Sequence, residues 1–203
     1  DSPSTSTSLG TKSGEKSSSA PRGEIHLSWT GKDPDGDALH YRVFCQGMDE
    51  KLWLELTDED KPLSTSSFQW KTEMVADGRY RLKVLASDEQ SNSAAYALQT
   101  SKVSEPFIVD NTRPKVTVTK LDSKKLEVKG HVVDELSIIT VLSYSVDGRR
   151  FKPLVPSDGI FDFKEESFVV KLHDLKPGPH VIAIKAVDVA GNTGMARKGF
   201  VIE

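Results

Sequence analysis

The sequence predicts an all-β chain: two consecutive β-sandwiches behind a disordered N-terminal arm. Three observations carry that prediction. From Gly23 to the end, apolar residues recur with a period of 2; no stretch has the 3.6-residue period of an amphipathic helix; and residues 77–88 align without gaps on residues 177–188. Alternation places every second side chain on one face of a strand, and an ungapped internal match says that one strand recurs at the same place in two copies.

The arm comes first. Residues 1–22, DSPSTSTSLGTKSGEKSSSAPR, hold one large apolar side chain, Leu9. Such a stretch buries too little surface to offset its ordering entropy and is predicted disordered, with a glycosylated or phosphorylated stalk as the functional alternative. The first sandwich is placed at 23–110. Ile25, Leu27 and Trp29 alternate with Glu24, His26 and Ser28, and Leu39, Tyr41, Val43 and Cys45 alternate with His40, Arg42, Phe44 and Gln46. Leu52, Leu54 and Leu56 bracket Trp53 and Glu55, and Tyr80, Leu82, Val84 and Ala86 alternate with Arg81, Lys83 and Leu85. These are half-buried antiparallel strands separated by Gly, Pro, Asp and Ser clusters.

The seam is Asp110-Asn111-Thr112-Arg113-Pro114, where Pro114 blocks strand continuation and the Asp/Asn pair favours a turn. The second sandwich is placed at 114–203. Its strands are Val116 and Val118; Leu126 to Val132; Ile138, Thr140, Leu142, Tyr144 and Val146; Phe168, Val170 and Leu172; His180, Ile182, Ile184 and Ala186; and Phe200 to Ile202. The internal match sets Tyr80 on His180, Asp88 on Asp188 and Asn92 on Asn192.

Composition narrows function. The 203 residues carry 27 Lys and Arg against 30 Asp and Glu, a formal charge of -3, and are 36% hydrophobic. That is enough apolar material for a core, and the near-neutral balance argues against a dedicated nucleic-acid or anionic-membrane binder. One cysteine, Cys45, forms no intrachain disulfide and builds no thiolate zinc site. Apolar runs are a few residues long, against the about 20 that a spanning helix needs. The first residue is Asp1, so the chain reads as part of a longer protein whose signal peptide lies elsewhere.

Trp29 on an early strand, the turn after it, Tyr41-Arg42-Val43 on the next strand and Tyr80 before Val84 and Ala86 together resemble a fibronectin type III domain. The resemblance implies that Trp29 fills the core and that the Tyr80 hydroxyl bonds back to nearby backbone as a corner. In the second half Leu175-Lys176-Pro177-Gly178 fits the approach to such a corner, His180 takes the Tyr position, and no Trp follows Trp70. That half is labelled immunoglobulin-like. Residues 29–37, 107–112, 156–162 and 186–192 also resemble tandems near the C-terminus of secreted bacterial proteins, often behind β-propeller repeats. This implies a non-catalytic extracellular or periplasmic module that binds a protein partner or presents a neighbouring domain. The seam and Ala86-Ser87-Asp88 further resemble cadherin linkers, implying a calcium-stiffened adhesion tandem. Only Asp88, Asp110 and Asn111 match, three donors against the six to eight that calcium takes.

Other candidate chemistry has a structural counterpart. Asp33, Asp35 and Asp37 alternate as calcium ligands do, but Ala38 and Phe44 stand where a helix-loop-helix calcium loop needs Gly and Glu, so a polar turn set by Pro34 and Gly36 is expected. Asp158, Asp162, Glu165 and Glu166 read as a solvated acidic loop rather than an acid/base pair. His26, His40, His131, His173 and His180 lack metal-ligand spacing, and His180 is expected to be satisfied by backbone. Cys45 is read as a small core residue. Phe44 and Trp53, joined by Trp70, break the polar face of the first domain: they are expected to cover the second face of the sandwich or pack under the linker, and the alternative, an exposed aromatic row, would stack on sugars and make a carbohydrate-binding module. No enzyme is predicted, and no catalytic, cofactor-binding or metal-ligating set is assigned.

Overall fold

A computed structural model of the chain describes residues 8–9, 23–93 and 95–203. It divides into two compact units, Asp1–Val109 and Asp110–Glu203. Strands of the first unit are β1 (Ser8–Leu9), β2 (Glu24–Thr30), β3 (His40–Gly47), β4 (Leu54–Glu55), β5 (Ser67–Lys71), β6 (Gly78–Ser87), β7 (Gln99–Val103) and β8 (Phe107–Val109). Those of the second are β9 (Lys115–Asp122), β10 (Glu127–Val133), β11 (Ile139–Val146), β12 (Lys152–Leu154), β13 (Glu165–Lys171), β14 (Gly178–Asp188) and β15 (Thr193–Ile202). Ser8 and Leu9 pair with Thr30 and Trp29; the expectation of disorder for the rest of residues 1–22 lies outside the described residues.

Both units are sandwiches of the same plan. In the first, a sheet ordered β1-β2-β5 faces β4-β3-β6-β7, with β8 also on the β6 edge; in the second, β9-β10-β13 faces β12-β11-β14-β15. All pairings are antiparallel. The aligned strands are β6 and β14, which open at Gly78 and Gly178. One difference has a covalent cause. β15 runs unbroken beside β14, whereas in the first unit the same edge is split into β7 and β8 around Pro106, which has no N–H for a ladder. Ser104 stitches the break: its N–H donates to Leu82 O (2.8 Å) and its Oγ accepts from Leu82 N (2.9 Å).

Each unit has its own core. Leu27, Trp29, Tyr41, Val43, Cys45, Trp70, Tyr80, Leu82, Val84, Ala86 and Val109 form the first, and Val128, Val132, Ile139, Leu142, Phe168, Val170, Leu172, Ile182, Ile184 and Ala186 the second. Trp29 fills the core as the resemblance implied, edge-on to Tyr41 at 5.3 Å between centroids.

Three details differ from the expected alternation. β4 is only two residues long, so Leu52 and Leu54 are exposed and Leu56 alone of that trio packs on the core. A bulge between Ile139 and Val141 reverses the phase of β11: Ile139 and Leu142 point inward, and Ile138, expected inside, is exposed. Trp70 lies on β5, a strand absent from the sequence reading, opposite Ile25 of β2 and 4% exposed.

Candidate functional site

The aromatic face was the first sequence candidate. Trp70 is not part of it: burial in β5 places its ring against Tyr80 and Phe107, at 6.0 and 6.2 Å. Phe44 and Trp53 do share the outer face of β3 and β6, half-buried. Their rings are capped by cations. Lys83 Nζ stands 4.5 Å from the Phe44 centroid and 4.7 Å from that of Trp53, with Arg42 and Arg81 on the same two rings at 5.6 and 5.4 Å. Arg42 is fixed by a two-pronged pair to Glu55 (2.7 and 2.5 Å), which Thr57 also bonds, and these donors hold the Glu55 carboxyl below the usual range. The result is a cation–aromatic lattice across the sheet rather than a bare platform.

The corners come next. Tyr80 donates its hydroxyl to Ala76 O at 2.9 Å, four residues back. His180 makes the same bond in the second unit: its Nε2 lies 2.8 Å from Lys176 O, also four residues back. Its Nδ1 lies 2.8 Å from Asp147 Oδ2. Asp147 sits at φ +52° beside Gly148 at φ +69° in the hairpin after β11, a conformation that an Asp-Gly pair tolerates, and its Oδ1 accepts from Val181 N. Both imidazole nitrogens face acceptors, an arrangement that favours the doubly protonated ring. The carbonyl and the carboxylate raise the His180 pKa, opposed by desolvation and then by Arg149, and the Val181 N–H and His180 lower that of Asp147.

The remaining candidates are consumed by structure. Asp33 Oδ1 closes a turn by accepting from Asp35 N (2.9 Å) and Asp37 N (3.0 Å). Glu166, expected in a solvated loop, is 2% exposed, because its Oε1 accepts from Asp162 N and Phe163 N. Cys45 is buried in the first core, and burial pushes its thiol up.

A site absent from the sequence reading lies at one end of the second unit. Asp110 precedes β9, Asp134 follows β10 and Asp188 closes β14; they are 6%, 4% and 2% exposed. One carboxylate oxygen from each lies within 4.8 Å of the others. The outer oxygens are engaged. Asp134 Oδ1 accepts from Leu136 N (2.9 Å) and Ser137 N (2.8 Å), Asp188 Oδ1 from Asn192 N (2.8 Å), and Asp110 Oδ1 from Thr112 N (3.0 Å). Asn192 ties the ends together by donating its amide to Asp110 O at 2.9 Å. The Oδ2 atoms of Asp134 and Asp188 are buried and have no hydrogen-bond partner among the described residues. Burial pushes the Asp188 carboxyl up, the Asn192 bonds oppose it, and the charges of Asp110 and Asp134 add to the rise.

Of the three residues of the linker resemblance, Asp110 alone belongs to this group. Asp88 is in the first unit, where its Oδ1 accepts from Leu98 N and its Oδ2 from Asn92. Asp188 was missed, although the ungapped match that sets it on Asp88 is a signal that could have found it. Asp134 has no such marker; only the folding of β10 against β9 and β13 brings the end of that strand here.

No protein-family model matches the chain, and a search of curated proteins finds no significant match. Among solved structures, the FN1-FN3 domains of chicken CNTN1 align with 90% of this chain at 15% identity and a TM-score of 0.41. A tetra-tandem repeat from the extending region of a large adhesion protein aligns with 97% of it at 16% identity and a TM-score of 0.35. The chain spans 61% and 48% of those two structures.

Proposed function

We propose that this chain is a non-catalytic interaction and spacing tandem of a larger extracellular or periplasmic bacterial protein, presenting a neighbouring domain or binding a protein partner. The observation that carries the reading is that four of the residues with chemical potential are spent on architecture: Asp33 and Glu166 close turns, Cys45 fills a core and His180 makes a corner. The surface offered to a partner is the β3–β6 face, where Arg42, Lys83 and Arg81 over Phe44 and Trp53 combine charge with apolar area. Aromatic and arginine side chains so placed are typical anchors of protein interfaces.

The test removes residues 23–203 from the parent protein. The expected result is loss of attachment to its partner or of correct domain placement, with any turnover on a soluble substrate retained; turnover by the isolated tandem itself would contradict the reading. The glycan alternative rests on Phe44 and Trp53 alone. Binding on a glycan array that disappears in Trp53→Ala would favour it over a protein partner.

A further inference from the structure

We propose that Asp110, Asp134 and Asp188 form a calcium site in the second unit. The donor set is all carboxylate oxygen, which selects a hard cation over zinc or copper. The spacing fits. The three oxygens lie within 4.8 Å of one another, no farther apart than two ligands of one calcium ion at a Ca–O distance of about 2.4 Å can be. Hydrogen bonds to Oδ1 of each residue orient the carboxylates from behind, as the outer partners of metal ligands do. The Oδ2 atoms of Asp134 and Asp188 are buried without a hydrogen-bond partner, and neither residue meets a lysine or arginine in an ion pair among the described residues. Like charges this close and this dry are relieved by a proton on one of them or by a cation among them, and only a cation serves all three at once.

The first unit supplies an internal control. There the matching asparagine, Asn92, points its amide between two carboxylates and donates to both Asp37 Oδ2 (2.8 Å) and Asp88 Oδ2 (2.9 Å). In the second unit the Asn192 side chain bonds Asp188 and also donates its amide to the main-chain oxygen of Asp110. That amide has two N–H groups, one of them given to the main-chain oxygen, so it cannot balance three carboxylates as Asn92 balances two. Water completes the shell of six to eight.

The experiment uses the 203-residue chain, stripped with EDTA and dialysed. Thermal unfolding is compared in calcium chloride, magnesium chloride and excess EDTA, and calcium binding is measured by titration calorimetry. The expected result is one calcium per chain and a rise of about 5 °C or more in the transition of the second unit at calcium 100-fold above Kd, with a smaller response to magnesium. Asp134→Asn keeps the turn-closing oxygen and should abolish the calcium shift, while melting in EDTA no lower than the wild type because one repelling charge is gone. Asp37→Asn in the first unit should leave the shift intact. Absence of calcium binding and shift, an equal response to magnesium, or a wild-type calcium response in Asp134→Asn would each overturn the assignment.

Discussion

His180 shows how one side chain replaces another at a fixed structural post. Tyr80 reaches the carbonyl four residues back with a neutral hydroxyl, and His180 reaches its counterpart with an N–H, at 2.9 and 2.8 Å. The substitution brings a titratable group, and Asp147 accepts its second N–H. The sign of the pH dependence follows from linkage. The folded pKa of His180 is raised, so its contribution is fully present below the unfolded value of about 6.5 and is lost as pH rises through the folded pKa. The Asp147 pKa is lowered, so its contribution is present above its unfolded value and is lost as pH falls through the folded pKa. The pair therefore supports the second unit most between those limits. Thermal melts should show the second unit losing stability from pH 6 toward pH 9, and His180→Tyr should flatten that slope while keeping the Lys176 bond. An unchanged slope in the variant would remove the pair as its cause.

At the scale of the strand, close approach decides what the sequence can vary. Gly130 sits at the register shift of β10 against β9, and a Cβ there would lie 2.2 Å from Thr117 O and 2.5 Å from the Phe168 ring. Both neighbours are fixed, one as backbone and the other as a core ring 1% exposed. Gly130→Ala should destabilise the second unit by about 1–3 kcal/mol, as overpacking does, read as a lower urea midpoint with an unchanged slope. Strands of this kind were legible from alternation wherever they were long: β2, β3, β6 and β14 carry the inward residues that period 2 picks out. Alternation misplaced residues where the pairing is short or irregular. Leu52 and Leu54 failed because β4 is two residues long, and Ile138 because a bulge changes the phase; Trp70 takes the packed alternative, on the short strand β5 that alternation does not mark. The site was less legible than the fold. Asp110 and Asp188 carried local signals, in the seam and the repeat, but convergence with Asp134 depends on three strand ends from different parts of the chain.

For the whole molecule, the two units share a strand order yet differ in how they close their ends: an amide between carboxylates in the first, a carboxylate cluster in the second. Each has its own core of buried residues, which is what a spacer requires, because a tandem transmits geometry only if each unit is stable without borrowing core from the other. Independent folding is thus the property on which the proposed role depends. Single-molecule stretching of the full chain measures it most directly. The account predicts two separate unfolding events, each releasing about 30 nm of contour for roughly 90 residues at about 3.5 Å apiece. One event of about 60 nm, or extension without discrete events, would contradict it.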